Sequence, residues 1–200
     1  GISAFIVETG TPGYRVARVE EKLGQHASDT AQIAFEDCAV PAANLLGEEN
    51  GGFKVALHTL DGGRIGIACQ AHGIMEACLE ASVKYARERE QFGKPIAEFQ
   101  GLRFLLADMA AAVDSARATF LMAARRRDAG RPFSRDAAVA KLIASDVAMK
   151  VTTDAVQVLG GYGYTRDYPA ERYMREAKVT QIFEGTNQIQ RLVISRQLLK

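Results

Sequence analysis

The spacing of apolar positions along this 200-residue chain changes once, near Pro41. Before that point, three segments rich in β-branched and aromatic residues show partial alternation, which is typical of strands: 2–8, 14–20 and 30–40. The sequence TGTPG at 9–13 separates the first two and supplies turn geometry. Three strands make only a thin sheet, and residue 1 lies next to the first of them. We therefore expect partner strands in a part of the protein that precedes this chain.

Beyond residue 52 the apolar positions follow helical spacing. The segment 53–90 predicts a long helix that is apolar over much of its circumference and ends at Gly93 and Pro95. The next helix carries apolar residues in alternating steps of three and four, the pattern of helices that pack lengthwise on one another. These residues are Phe99, Leu102, Leu106, Met109, Val113, Ala116, Phe120 and Ala123.

A third long helix is predicted from Ser134, a candidate N-cap, to the glycine-rich sequence GGYGY at 160–164. We expect its packed face to contain Val139, Ile143, Val147, Val151, Ala155 and Val158. Two shorter helices follow, at about 169–180 and from about 188 to the end. Long helices joined by short loops predict a mainly α fold, an up-down four-helix bundle that is preceded by the end of a small antiparallel β-domain.

We place the boundary between these two parts after residue 45, with 1–45 in the β-domain and 46–200 in the helical domain. The chain is 48% hydrophobic, which is enough for a sizeable core. A formal net charge of +1 provides no field that would attract nucleic acid or an anionic membrane surface. No apolar run approaches the roughly 20 residues that a membrane-spanning helix needs.

The three cysteines, Cys38, Cys69 and Cys78, do not have the spacing of metal ligands. The three histidines are scattered as well, so we expect no metal site. An odd number of free thiols fits a reducing compartment, and we expect a cytoplasmic protein, with the mitochondrial matrix as the alternative.

The stretch FEGTNQIQ at 183–190 places one carboxylate, Glu184, just before the last predicted helix. An arbitrary glutamate is usually a solvated surface residue. Here the neighbours Phe183, Ile182 and Ile189 are apolar, and partial desolvation makes a carboxylate a better proton acceptor near neutral pH. Glu184 is therefore a candidate base.

The residues that follow Glu184 predict a helix start. Thr186 and Asn187 are both candidate N-caps, and Gln190 stands three residues after Asn187, as in a capping box. The amides that open a helix can also hold an anion. A base beside such a helix start is a coherent site, but the spacing does not name a reaction.

Three other stretches allow both a structural and a functional interpretation. The glycines of 157–164 either cap a helix or leave a bare backbone edge for a flat, phosphate-bearing cofactor. Arg89 either belongs to a solvated helix end or clamps a pyrophosphate.

In the stretch 60–68, Asp61 and Arg64 can pair across a helix turn. Its two helical glycines cost about 1 kcal/mol each relative to alanine, which indicates close approach by a ligand or another helix.

Together these stretches resemble the C-terminal half of the acyl-CoA dehydrogenase family. The resemblance covers essentially the whole chain and rests on four motifs in the family's order: LDGGRIGIA, REREQFGKPIAEFQ, QVLGGYGYTRDYPAERYMREAK and QIFEGTNQIQRLVISR. It implies FAD-dependent α,β-dehydrogenation of an acyl-CoA thioester. Glu184 would remove the α-proton, and a hydride would pass from the β-carbon to flavin N5. Some family members carry the base at the place of Gly63, where glycine cannot serve.

The resemblance also implies roles for individual residues. FAD contacts would come from Arg89, Gln100, Gln157, Val158, Leu159, Gly160, Gly161, Thr186, Asn187 and Gln188. Contacts to the CoA substrate would come from Asp61, Gly62, Gly63, Arg64 and Gly185. The family commonly has glutamate at the place of Gln188, so this chain departs from the pattern at that contact.

The sequence EGTNQIQRLVISR is most similar to the short-chain, butyryl-CoA branch of the family, which implies a short straight-chain substrate. The implied electron acceptor is electron-transfer flavoprotein, and the implied assembly is a homo-oligomer, a tetramer. Because the preceding half of family members covers the flavin ring, we expect this chain to be inactive by itself. Two alternatives stay open: an acyl-CoA oxidase of the same fold, and a non-catalytic helical oligomerisation domain.

Overall fold

A computed structural model describes residues 1–199, and its elements follow the predicted order of strands and then helices. The strands are β1 (Ala4–Phe5), β2 (Tyr14–Val19), β3 (Ala31–Phe35), β4 (Leu45–Leu46), β5 (Glu90–Gln91) and β6 (Lys94–Pro95). The α-helices are α1 (Gly52–Glu88), α2 (Gln100–Asp128), α3 (Ser134–Leu159), α4 (Ala170–Val179) and α5 (Asn187–Leu198). The predicted fold class, mainly α with strands at the start, is confirmed.

Residues Gly1–Leu60 form the first of two compact units. β2 pairs antiparallel with β3, with Tyr14 opposite Phe35, and β1 pairs antiparallel with β4. The observed strands are shorter than the predicted 2–8 and 30–40, because each has only one partner strand here to hydrogen-bond with. Large apolar side chains of this unit are exposed: Ile2, Phe5, Ile6, Val16, Val19, Leu23, Ile33, Phe35, Leu46, Phe53 and Leu57.

The second unit begins at Asp61 and contains the hydrophobic core. α2 buries Met109, Val113, Ala116, Phe120 and Ala123, five members of the predicted stripe. α1 buries a stripe with the same alternating steps: Ala68, Ala71, Met75 and Cys78. This spacing keeps one face of each helix against its neighbours along its length.

α3 is the central helix, since it packs against α2, α4 and α5. Most of its buried residues are small, and Lys141 is the largest side chain that is fully buried. The predicted face was wrong at Val139, which is half-buried, and at Ile143, which is exposed, whereas Val147 packs against the core. The physical reason is the close approach of neighbouring helices, which favours alanine over branched side chains at the contact. The alanines of this face are Ala137, Ala138, Ala140, Ala144, Ala148 and Ala155.

Ser134 was expected to be the N-cap of α3 but is its first helical residue, after Phe133 at the N-cap. Its hydroxyl donates a hydrogen bond to Asp61 Oδ1 at 3.0 Å. A carboxylate is a stronger acceptor than a neutral group, so the Ser134 hydroxyl bonds to Asp61 instead of capping the backbone of α3.

Neither a membrane-spanning helix nor a metal cluster is found in the described part of the chain. No helix within residues 1–199 is both long enough and apolar enough to cross a bilayer. Over the same residues, no three histidine, cysteine, aspartate or glutamate side chains are grouped so that they could hold a metal ion.

Candidate active site

Glu184 lies in a tight turn between α4 and α5. Its φ is 55° and that of Gly185 is 86°, so both residues adopt the left-handed region. For a residue with a side chain this conformation costs about 1–2 kcal/mol. The backbone N–H of Asn187 donates to the carbonyl of Gln181 at 3.1 Å. Gln190 Nε2 donates to the carbonyls of Glu184 at 3.2 Å and Gly185 at 2.8 Å. These bonds close the turn and hold Glu184 in its unfavourable conformation.

The start of α5 is capped differently from the prediction in one respect. Thr186 is the N-cap, as expected of one of the two candidates, and its Oγ1 accepts from the N–H of Ile189 at 3.4 Å. The capping box with Gln190 is not formed, because that side chain donates to the carbonyls of the turn instead. Those carbonyls belong to residues in left-handed conformation, which no regular helix bond can satisfy.

The carboxylate of Glu184 lies directly against α1 at Gly63. A Cβ built on Gly63 would lie 2.8 Å from Cδ and 3.0 Å from Oε1 of Glu184. Side-chain atoms do not approach each other so closely, so only glycine leaves room for this carboxylate. The close approach expected at the helical glycines is therefore made by Glu184 itself.

The shelter around Glu184 comes from this helix contact rather than from the predicted apolar neighbours. Ile182 is 53% exposed and Ile189 is 43% exposed, so their expected role in burying the carboxylate was wrong. Side chains that follow each other in a tight turn point in different directions, which a sequence window does not reveal. Glu184 Oε2 is buried and has no hydrogen-bond partner within the described residues.

Asp61 and Arg64 pair across one turn of α1, as the structural interpretation of their spacing expected. Arg64 NH1 donates to Asp61 Oδ1 at 2.6 Å, and the arginine is buried. Its Nε has no partner among residues 1–199. At Gly62, the nearest neighbour of a built Cβ is the guanidinium of Arg127, at 3.6 Å. Four of the predicted substrate-binding residues, Asp61 to Arg64, therefore lie on the part of α1 that faces Glu184, and the fifth, Gly185, lies in the turn of Glu184 itself.

Lys141 is a buried residue near this site that the sequence analysis missed. It is fully buried on α3, and its Nζ donates to Asn187 Oδ1 at 2.8 Å. Asn187 Nδ2 in turn donates to Ser145 Oγ at 2.8 Å and to Asp146 Oδ1 at 2.7 Å. The available signal was the position of Lys141 in line with small residues at helical spacing, between Ala137 and Ser145.

Burial lowers the pKa of Lys141 from 10.5 to about 8. The charge of Asp146 opposes this decrease, Arg64 adds to it, and Glu184 opposes it. Glu184 and Lys141 therefore interact electrostatically through the interior of the second unit.

We expect this lysine to destabilise the protein more at neutral pH than at alkaline pH. Above pH 8 the folded form loses the proton that the unfolded form keeps up to about pH 10.5, so stability rises with pH across that interval. Relative to Lys141→Met, the free energy of unfolding of the unmodified protein should rise by roughly 2–3 kcal/mol between about pH 7 and about pH 10. Urea unfolding of both proteins at these pH values measures it. A difference that is independent of pH would contradict the expectation.

A second group of predicted residues lines an open cleft at the end of α3. The cleft has a volume of about 510 Å³. Its lining includes Arg89, Val158, Leu159, Gly160 and Gly161, all five of them predicted FAD contacts.

The chemistry of this cleft suits a flat, phosphate-bearing ligand. Gly160 ends α3 with φ 60° and ψ −134°, a conformation that only glycine adopts readily. A Cβ on Gly160 or Gly161 would meet nothing within 4 Å, so their backbone is open on that side. The guanidinium of Arg89 lies 5.6 Å from the ring centre of Tyr162 and supplies a cation at the rim.

The structure does not bring all predicted cofactor residues into that cleft. Gln100, Gln157 and Gln188 are exposed and do not line it. Thr186 and Asn187 belong to the turn of Glu184, where Thr186 caps α5 and Asn187 is buried. The predicted residues therefore fall into two groups within this chain, one around Glu184 and one around Gly160.

This chain is similar to known proteins both in sequence and in structure. The family model for the acyl-CoA dehydrogenase C-terminal domain matches residues 50–199. A short-chain-specific acyl-CoA dehydrogenase of Megasphaera elsdenii is 54% identical over 200 residues, which is all of this chain and 52% of that protein.

Two solved structures are similar over the entire chain. One, described as the electron transferring flavoprotein of Acidaminococcus fermentans, has a TM-score of 0.99 and 61% identity, and this chain covers 53% of it. The other, butyryl-CoA dehydrogenase from Megasphaera elsdenii, has a TM-score of 0.98 and 54% identity, with 52% of it covered. This chain spans about half the length of the relatives that it matches. The motifs, the fold and these matches agree, and the chain belongs to the acyl-CoA dehydrogenase family.

Proposed function

We propose that the protein catalyses the FAD-dependent α,β-dehydrogenation of a short straight-chain acyl-CoA thioester, with Glu184 as the base. The observation that carries this proposal is the carboxylate of Glu184 against Gly63, with one oxygen buried and without a hydrogen-bond partner within residues 1–199. A structural carboxylate would have its oxygens satisfied. An unsatisfied one in a sheltered position is suited to take a proton from a ligand.

The turn also provides a donor for the thioester carbonyl. The backbone N–H of Glu184 makes no hydrogen bond within residues 1–199. Removal of an α-proton builds negative charge on the carbonyl oxygen, and a preorganised N–H stabilises that charge. Glu184 would therefore contribute both the base and the donor, and the closed turn would fix their relative positions.

The residues of the cleft fit a bound FAD. The exposed Arg89 suits a pyrophosphate, and the bare backbone of Gly160 and Gly161 suits close approach of a ligand. When bound, FAD supplies the hydride acceptor. This chain's residues would hold it by its phosphates and leave Glu184 to orient the substrate and take the proton.

The names of its relatives support proposals for the substrate and the partners of the whole protein. The short-chain specificity in the name of the Megasphaera elsdenii relative supports a short acyl chain. The similarity to a structure described as electron transferring flavoprotein supports electron-transfer flavoprotein as the acceptor. The separation of the two groups of residues within one chain supports a homotetramer in which neighbouring subunits complete each site.

Anaerobic stopped-flow absorbance of the full-length, FAD-loaded protein tests this proposal. Butyryl-CoA should bleach the flavin rapidly, and palmitoyl-CoA should do so at least about 100-fold more slowly, because its longer chain overfills a short pocket. Failure of every acyl-CoA to bleach the flavin would overturn the proposed activity. Equally fast bleaching by both substrates would overturn the short-chain specificity alone.

A further inference from the structure

We propose that Lys141 is a positioning residue for Glu184: its buried ammonium fixes Asn187, and through it the turn that presents the carboxylate. This inference rests on the proposed function, in which Glu184 is the base. Nothing in the sequence motifs points to Lys141, which lies on α3 and contributes no atom to the cleft around Gly160.

The first argument is the route of contacts from Lys141 to the turn. Its Nζ donates to Asn187 Oδ1 at 2.8 Å, and Asn187 is the first residue of α5. The backbone N–H of Asn187 closes the turn by donating to Gln181, at 3.1 Å. Asp146 accepts from both Asn187 and Gln181, each at 2.7 Å. The lysine therefore anchors the residue on which the turn is built.

The second argument is the position of the charge. The charged groups that act on Lys141 are Asp146 on α3, Arg64 on α1 and Glu184 in the turn. Arg191 on α5 pairs with Asp146 at 3.2 Å. This pairing weakens the electrostatic stabilisation that Asp146 gives to the protonated lysine. Glu184 Oε2 has no hydrogen bond of its own within the described residues. Lys141 and Glu184 therefore belong to one group of charged residues, in which the charge of Glu184 favours the protonated lysine that donates to Asn187.

The third argument is the cost of burying this side chain. A fully buried lysine without a directly paired carboxylate opposes folding, and natural cores seldom contain one. Burial lowers the pKa of Lys141 to about 8, which reflects that cost. Ser145 Oγ also lies 3.1 Å from Asn187 Oδ1, but its single proton is better placed for the carbonyl of Lys141 at 2.7 Å, so Lys141 Nζ is the main donor to the asparagine. A role in positioning the turn of Glu184 explains why a charged side chain is buried at this place. Packing alone would favour an apolar side chain.

The test uses full-length, FAD-loaded protein with Lys141→Met, and Lys150→Met as the matched control. Lys150 is the exposed lysine on the same helix, paired with Asp154. Lys141→Met should slow flavin reduction by butyryl-CoA at least about tenfold. The concentration of butyryl-CoA that half-saturates the reduction should stay nearly unchanged, because the substrate contacts remain and only the alignment of the base is lost. Lys150→Met should change neither.

A second measurement requires no substrate. Hydrogen exchange of the backbone amides in 181–190 should become at least about tenfold faster in Lys141→Met, and stay unchanged in Lys150→Met. If the methionine variant does not fold, Lys141→Gln, which keeps an uncharged donor of shorter reach, should show the same fall in rate and the same faster exchange in 181–190. A purely structural role would speed exchange across the helices of the second unit rather than in 181–190 alone.

A reduction rate within twofold of the unmodified protein, together with unchanged exchange in 181–190, would overturn the inference. That result differs from a failure of the proposed function. If the unmodified protein is not bleached by any acyl-CoA, the activity is wrong. The exchange measurement then still decides whether Lys141 holds the turn.

Discussion

Replacement of Glu184 by glutamine should reduce the rate of flavin reduction by butyryl-CoA by about 10³-fold or more, because an amide cannot accept the α-proton. Glutamine has the shape of glutamate and still fits against Gly63. Oε2 has no hydrogen bond within residues 1–199 to lose, so we expect little change in folding. Stopped-flow absorbance of the full-length, FAD-loaded variant measures the reduction rate. Spectral change on addition of substrate, which precedes reduction, measures binding.

Glu80→Gln is the control for this substitution. Glu80 is an exposed glutamate on α1, and its replacement removes the same charge without touching the turn. We expect it to leave the reduction rate unchanged. If Glu184→Gln turns over at nearly the rate of the unmodified protein, another group removes the proton. The assignment of the base would then be wrong even though the chain belongs to the family.

The helices of this protein could be predicted from sequence to within a few residues. α2 is predicted best, since its apolar residues follow alternating steps of three and four without interruption from Met109 to Ala123. α1 carries apolar residues over most of its circumference, and its C-terminal end is indicated by Gly93 and Pro95, which disfavour continuation of a helix. Such signals are local in sequence, and a single chain is sufficient to show them.

The packed face of α3 could not be predicted in the same way. Alanine is a weak indicator of burial, so the larger residues Val139 and Ile143 drew the predicted face away from the alanines. Which side of a central helix is crowded depends on the distance to its neighbours, and this is a property of the tertiary structure. The same error hid Lys141, because a lysine is assigned to solvent unless the alanines around it are recognised as a core.

The position of Glu184 was predictable, but its surroundings were not. Its place before a helix start and next to Gly185 indicated a turn, and the turn is present. The contact with Gly63 joins residues far apart in sequence, and only the cost of a glycine inside a helix hinted at it. Gln190 has the spacing of a capping box, yet its side chain donates hydrogen bonds to the carbonyls of the turn. Competing acceptors of this kind become visible only when the backbone path is known.

Replacement of Gly63 by alanine should lower the activity by disturbing the contact between α1 and the carboxylate of Glu184. The added Cβ would lie 2.8 Å from Cδ of Glu184, so the carboxylate must move away from α1. A displacement of about 1 Å costs about 100-fold in rate when a reacting group loses its alignment, and we expect Gly63→Ala to lower flavin reduction by butyryl-CoA by that order. Stability should not gain from the substitution, because the overlap offsets the roughly 1 kcal/mol by which alanine favours a helix over glycine.

Gly66→Ala provides the matched comparison, one turn further along α1. A Cβ on Gly66 would meet nothing within 4 Å, and the residue is exposed. This variant should raise the free energy of unfolding by about 0.5–1 kcal/mol and leave the rate of flavin reduction unchanged. Opposite behaviour of two identical substitutions three residues apart would locate the effect in the contact with Glu184, not in the helix. If Gly63→Ala is stabilising and fully active, the carboxylate does not lie against this helix in the working protein.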